Sequence, residues 1–183
     1  VPLGHTAHTA LFGGKMNIFV LDEDPRRAAQ QMCDKHVVKM PLESAQMLST
    51  AVNVLHGRKV APYKSAYLNH PCTVWARETL GNFLWLYEHG MELCREYSHR
   101  YGRQHKSQAV IEKCLLLAVS ENIPEDHFSL MLDRQLTPHP LCMPEQYKVE
   151  SVVESYRAYY IGEKMRFAEW KRNRPVWWPA QQE

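Results

Sequence analysis

The chain has 183 residues, 45% of them hydrophobic, and carries 22 Lys+Arg against 20 Asp+Glu for a net charge of +2, enough apolar content to bury one core without staples. No run reaches the roughly 18 apolar residues that span a bilayer, and the N-terminus lacks the charged-then-apolar order of a secretory signal. The five cysteines form no CxxC or other tight pair and read as reduced thiols, so a membrane span and a disulfide scaffold are excluded and a cytoplasmic protein is expected.

Residues 1–15, rich in Gly, His and Thr, have no hydrophobic periodicity and are set aside as an artificial extension or disordered leader, with Met16 as the natural start. Residues 16–183 are expected to form a single helical domain. Asn17 to Leu21 is a short strand-like run, followed by Asp22-Glu23-Asp24-Pro25, which places acids and a first-turn proline at a helix start. A first helix is expected from about Pro25 to Leu55, kinked or broken near Lys39 because Pro41 lacks a backbone donor. Gly57 to Leu68 reads as a polar loop ending in Asn69-His70-Pro71, where Asn69 or His70 caps and Pro71 opens a second helix to about Tyr101. That helix carries Trp75, Thr79, Phe83, Leu86, Gly90, Leu93 and Tyr97 at 3–4 spacing, a face that demands a partner.

Ser107 is expected to cap a third helix running to about Ser120. The stretch from Asn122 to Lys148 holds Pro124, Pro138, Pro140 and Pro144 and reads as irregular, with room for a short helix at Glu125–Leu132. Ser151-Val152-Val153-Glu154 is a capping box that opens a last helix to about Lys171. The tail Arg174-Pro175-Val176-Trp177-Trp178-Pro179 is too aromatic to float free and is expected to dock. The sum is an all-α helical bundle with a short N-terminal strand-like segment and irregular 122–150 and C-terminal stretches.

The segment Lys35-His36-Val37-Val38-Lys39-Met40-Pro41-Leu42-Glu43 concentrates the chemistry. At about 100° per residue, Cys33, Val37, Met40, Ser44, Met47 and Ala51 form an apolar stripe, with His36, Lys39 and Glu43 along one flank. An ammonium beside apolar groups and another ammonium, here Lys39 with Lys35 one turn back, loses proton affinity and becomes a nucleophile. Positive charge clusters in Lys164, Arg166, Lys171, Arg172 and Arg174, and again in Arg95, Arg100, Arg103 and Lys106 with His99 and His105. Interleaved Tyr97, Tyr101, Trp170, Trp177 and Trp178 suit phosphates and stacked bases.

Ten histidines raise the question of a metal, but none forms HxxxH, HExxH or CxxC…H spacing, so no metal is assigned; His36, His70 and His105 would have to meet in space. Gly-rich phosphate loops, a GxSxG elbow and a dinucleotide fingerprint are absent, which removes kinase, elbow hydrolase and Rossmann readings. An amine, a carboxylate and histidines beside basic and aromatic surface are what base excision needs: a nucleophile for the sugar C1′, a carboxylate to steady charge or move protons, cations for phosphates and aromatics for the vacated stack.

The stretch Lys35-His36-Val37-Val38-Lys39…Glu43…Gln46-Met47-Leu48, followed by Asn69-His70-Pro71 and Trp75 and closing on Pro175…Trp178-Pro179, resembles the pyrimidine dimer DNA glycosylase (endonuclease V-like) family of small phage and bacterial proteins. The resemblance implies an all-helical enzyme that recognises damaged or modified pyrimidines in DNA, cuts the glycosidic bond through an imine and nicks the abasic strand by β-elimination, without a cofactor. Lys39 or Lys35 is then the expected amine, with the N-terminal amine or an activated water as alternatives. Glu43 is the expected carboxylate, and His36 and His70 are proton or phosphate partners. Expected DNA contacts are Asn69, Arg77, His105, Lys106, Lys164, Arg166, Lys171, Arg172, Arg174 and Trp177, the Lys164–Arg174 segment acting as a backbone clamp. A non-catalytic nucleotide- or DNA-binding module and a metal-dependent hydrolase are the readings from other classes.

Overall fold

A computed structural model describes residues 16–124, 132–172 and 174–180. The leader 1–15 lies outside these residues, as does the short helix expected at Glu125–Leu132, Leu132 excepted. Among the described residues are six α-helices: α1 (Pro25–Gln31), α2 (Asp34–Leu55), α3 (Pro71–Trp75), α4 (Leu80–Tyr101), α5 (Gln108–Ala118) and α6 (Val152–Lys164), with a 3₁₀ turn at Glu145–Tyr147. The all-α class is as expected. Among the described residues, no helix is long and apolar enough to cross a membrane.

The expected first helix is two helices, and the break lies at Met32–Cys33 rather than near Lys39. Pro41 stays inside α2. The reason is distant in sequence: Arg100 donates from Nη2 to Gln30 O (3.1 Å) and from Nη1 to Met32 O (2.8 Å), taking up the carbonyls that end α1. Cys33 N donates to the Tyr160 hydroxyl at 2.9 Å, so the chain restarts at a fixed point.

The second expected helix also divides, at Ala76–Thr79. Thr79, read as part of an apolar face, is instead the N-cap of α4: its hydroxyl accepts from Asn82 N (2.9 Å) and donates to Gln135 O (2.6 Å). A hydroxyl one residue before a helix satisfies an orphan amide, and this outweighs continuation. Gly90, in the middle of α4, leaves little room for a side chain; a Cβ there would meet Ile111 Cδ1 at 3.1 Å and Ser44 Cβ at 3.2 Å, which shows how closely α4 lies against α2 and α5.

Helix α5 begins after Ser107, but the serine hydroxyl makes no cap bond; His105 Nδ1 accepts from Ser107 N at 3.0 Å. Ser151 caps α6 as its box predicts, accepting from Glu154 N at 3.2 Å. This last helix ends at Lys164, not Lys171, because the chain turns there and Glu169 O accepts from Asp34 N at 2.8 Å, tying the tail to the start of α2. The tail docks through its indoles: Trp170 Nε1 donates to Gln31 O (3.0 Å) and Trp177 Nε1 to Gln31 Oε1 (2.7 Å).

Met16–Leu21 is buried, and no strand occurs among the described residues. The expected strand-like run is satisfied by side chains instead of a sheet, with Asn17 N donating to Glu43 and Arg157 Nε donating to Leu21 O at 2.9 Å. The core of α1, α2, α4 and α5 continues through this segment to Tyr156 and Tyr160 of α6.

Arg100 is the group on which these junctions converge. Its side chain is 0% exposed and it also binds Glu96 and Asp34, each at 2.9 Å. Arg100→Leu is expected to lower the unfolding free energy by about 3–5 kcal/mol, because it leaves buried acids and carbonyls without their donor. Urea unfolding measures this; a loss below about 1 kcal/mol would show that the network is dispensable.

Candidate active site

The outer face of α2 presents Lys35, Val38, Lys39 and Leu42 to solvent, while Glu43, one turn after Lys39, is buried. Two nitrogens meet the Glu43 carboxylate. Lys39 Nζ lies 3.5 Å from Oε2, and the backbone N–H of Asn17 donates to Oε1 at 3.2 Å. Burial pushes the Glu43 carboxyl above the usual carboxylate range, opposed by Lys39, the Asn17 amide and, more weakly, Lys164. A carboxyl tuned upward beside an ammonium is suited to exchange protons with it.

An aromatic wall stands beside this pair. His36 is 7% exposed, stacks on Phe19 at 4.5 Å and shares a 2.8 Å hydrogen bond between Nδ1 and the Tyr160 hydroxyl. Burial, helped by Lys164 and Lys39, pulls the imidazole down to about 3, so it stays neutral. Lys35 Nζ sits 4.9 Å from the Phe167 ring centre. Lys164, which the sequence grouped with the tail, lies instead over Tyr159 (4.9 Å) and Phe19 (5.7 Å), and burial lowers the proton affinity of its amine. Lys35, His36, Lys39, Glu43 and Lys164 therefore belong to one neighbourhood.

The other expected residues are spread more widely. His70 caps α3, its Nδ1 accepting from Cys72 N at 3.1 Å. A chain of contacts links it to the carboxylate: Cys72 Sγ is 4.0 Å from Asn17 Oδ1, and Asn17 in turn binds Glu43. His105 lies over the outside of α2, with Nε2 at 2.9 Å from Val38 O and its ring edge-on to Tyr97. Among the described residues the grouping of possible metal donors is His70, Cys72 and Cys142. In the neutral ring the lone pair of His70 is already used by the Cys72 amide, which leaves the other nitrogen protonated and poorly suited to a cation.

Of the expected DNA contacts, Asn69, Lys106, Arg166, Lys171 and Arg174 are exposed. Arg77 is held by Leu68 O (2.8 Å), Trp177 by Gln31, and Arg172 Nη1 by both oxygens of Glu96, each at 2.7 Å. A cavity of about 590 Å³ is lined by Asp34, Ala168, Glu169, Trp170, Lys171, Arg172 and Arg174. It opens at the first turn of α2, about 13 Å along the helix axis from Glu43, and neither Glu43 nor Lys39 lines it. The carboxylate site and the basic cavity are thus neighbours on one helix rather than one pocket.

The family model for pyrimidine dimer DNA glycosylase matches residues 16–109. The chain belongs to this family. The name implies DNA glycosylase activity and a DNA substrate, and the matched region contains Asn17, the whole of α2, and the Asn69-His70-Pro71 turn. No curated protein and no solved structure matches the chain. Within this family member, sequence reasoning missed Asn17, Phe19 and Tyr160. A polar residue at the head of a short apolar run was the available sign for Asn17; nothing local marks the other two.

The buried histidines make stability pH-dependent. His36 and His139 are held down to about 3 and His89 to about 4, all chiefly by burial. Each takes up a proton on unfolding, so stability is full above the ordinary histidine value near 6.5 and falls as pH drops toward 4, by about 1.4 kcal/mol per pH unit per histidine. Glu43, shifted upward, works in the opposite sense within that range, because the folded chain takes up its proton before the unfolded chain does as pH falls toward the ordinary carboxylate value. Urea midpoints from pH 7 to 5 should decline, and His36→Gln should flatten the slope by one histidine's share. A flat profile would contradict burial of these rings in neutral form.

Proposed function

We propose that this protein is a glycosylase and abasic-site lyase acting on a damaged or modified pyrimidine nucleotide in DNA, with Glu43 as its catalytic carboxylate. The observation that carries this reading is a buried, proton-hungry carboxylate with two nitrogens at 3.2 and 3.5 Å, beside an aromatic wall and an exposed lysine face.

In this reading Lys39 is the nucleophile. Glu43 accepts a proton from its ammonium, the free amine adds to C1′ as the glycosidic bond breaks, and the departing base takes a proton. Return of the proton from Glu43 to the ring oxygen opens the sugar, leaving an imine between Lys39 and C1′. The imine acidifies the C2′ hydrogen, and loss of that proton expels the 3′ phosphate by β-elimination. Lys35 and Lys164 raise the local positive potential, which attracts the phosphodiester. His36, kept neutral, fixes Phe19 and Tyr160 behind the carboxylate. His70 holds the α3 turn that supports Asn17, and Asn69, Lys106, Arg166, Lys171 and Arg174 supply phosphate contacts.

The 3.2 Å contact of Asn17 N with Glu43 favours a second amine. Scission of the Met16–Asn17 bond would turn this nitrogen into a primary amine already seated on the carboxylate, while the rest of the mechanism is unchanged.

Borohydride trapping on duplexes carrying a cyclobutane pyrimidine dimer or a modified pyrimidine tests both. A covalent protein–DNA adduct is expected, and peptide mapping places it on Lys39 or on an amino-terminal Asn17. Glu43→Gln should reduce adduct formation by about 10²–10⁴-fold while DNA binding persists. Absence of any adduct on all such duplexes, or an adduct undiminished by Glu43→Gln, would remove the imine mechanism.

A further inference from the structure

Cys72 and Cys142 are the two thiols that the proposed mechanism leaves unused and that the fold nevertheless brings together. They are 70 residues apart in sequence, and their sulfurs lie 3.5 Å apart, in direct contact. Cys72 is buried at the N-terminal end of α3, whereas Cys142 is partly exposed in the irregular stretch before the 3₁₀ turn. The backbone on both sides is pinned. Cys72 N donates to His70 Nδ1, Cys142 O accepts from Asn17 Nδ2 at 2.9 Å, and Cys142 N donates to the Tyr156 hydroxyl at 3.4 Å. The remaining cysteines, Cys33, Cys94 and Cys114, are fully buried.

We infer that Cys142 and Cys72 are a peroxide-sensitive thiol pair, in which Cys142 is oxidised first and Cys72 resolves it as a disulfide. The chemistry follows from the roles the geometry assigns. The Cys142 thiolate attacks one oxygen of hydrogen peroxide, the O–O bond breaks, and Cys142 becomes a sulfenic acid while the departing hydroxide takes up the proton the thiol had lost and leaves as water. The Cys72 sulfur then attacks the Cys142 sulfur, the S–O bond breaks, and a second water departs. With hydrogen peroxide, two thiols and one peroxide give one disulfide and two waters; the sulfurs lose two electrons and the peroxide gains them.

Three features separate the roles. Cys142 has the access that an attacking thiol requires. A Cys142 thiolate would accept from the Cys72 thiol at 3.5 Å and Lys148 adds positive charge, which together hold the Cys142 thiol below its ordinary range despite burial. Cys72, with its proton committed and no exposure, is held well above its own, as befits a thiol that reacts second and at contact distance. A bound cation is the competing use of this cluster, and the committed lone pair of His70 argues against it.

The test uses the full chain, reduced and freed of reductant, titrated with hydrogen peroxide, and alkylated under denaturing conditions before peptide mass spectrometry. A disulfide-linked pair of peptides carrying Cys72 and Cys142 is expected at near-stoichiometric peroxide. It should form about tenfold or more faster than Cys94 or Cys114 loses its alkylation, because exposure and thiolate character set the rate. Dithiothreitol should reverse it, and Cys142→Ser should abolish it without changing the thermal midpoint by more than a few degrees. Dimedone present during oxidation of the wild-type chain should label Cys142 and not Cys72. Linked peptides that appear only after unfolding, dimedone label on Cys72 first, or purified protein that holds stoichiometric zinc and resists peroxide at both thiols would each overturn the inference.

Discussion

One buried guanidinium organises the chain. Arg100 ends α1 by taking the carbonyls of Gln30 and Met32, fixes the first residue of α2 through Asp34, and is anchored on its own helix by Glu96. Glu96 in turn holds Arg172, and Asp34 accepts from Lys171 N at 3.1 Å, so the tail is drawn into the same network. Two cations face two carboxylates, which lets the cluster leave water without net charge. A lysine could not substitute, because no single ammonium reaches four acceptors arranged as a planar fork. The consequence for function lies in the rotation of α2: once Asp34 is fixed, every later residue of that helix has its direction set, including Lys35, Lys39 and Glu43.

The same fixing explains how a carboxylate is kept buried. Left alone, Glu43 would carry a desolvation cost that no soluble helix tolerates on its core side. The cost is offset from two directions, by Lys39 on the exposed turn before it and by the amide of Asn17 from the N-terminal segment. That segment needs its own supports, and it finds them in Cys142 O for the Asn17 side chain and in the Tyr156 hydroxyl, which donates to Asn17 Oδ1 at 3.1 Å. The carboxylate thus depends on α6 and on the irregular stretch near residue 140. Its upward-shifted proton affinity is a product of tertiary assembly rather than of the helix that carries it.

This dependence decides what could be read from the residues alone. The apolar stripe of α2 was legible because 3.6-residue periodicity is local: Cys33, Val37, Met40, Ser44, Met47 and Ala51 are all buried. The capping box at Ser151 was legible for the same reason. The break at Met32–Cys33 was not, since the groups that cause it, Arg100 and Tyr160, lie 68 and 127 residues downstream of their partners. Pro41 misdirected the expectation by offering a local reason for a break two turns too late. Thr79 misled through its spacing, because a residue on a hydrophobic face and a cap residue can share a position when the helix stops one residue away. At the site, Lys35, His36, Lys39 and Glu43 were visible as a helical flank, while Asn17, Phe19 and Tyr160 became partners only through the packing of both ends of the chain onto α2.

The basic residues illustrate the limit of counting charge. Lys164, Arg166, Lys171, Arg172 and Arg174 look like one cluster in sequence, yet their environments differ in kind. Arg172 neutralises Glu96, Lys164 covers Phe19 and Tyr159, and Arg166, Lys171 and Arg174 face solvent. A phosphate gains little from a guanidinium already paired with a buried acid, because the new contact must first break the old one. The salt-dependent part of DNA affinity on the proposed reading therefore belongs to the exposed members and to Lys35 of α2, whereas Lys39 is paired with the buried Glu43. Between those two lysines α2 exposes Val38, and just beyond Lys39 it exposes Leu42, at 44% and 41%. An aliphatic strip framed by ammonium groups, with a carboxylate at its inner edge, suits a nucleotide whose phosphate stays in water while its sugar and base are brought against the protein. On the proposed reading, that division places affinity on the rim of α2 and leaves bond-breaking to Lys39 and the buried Glu43.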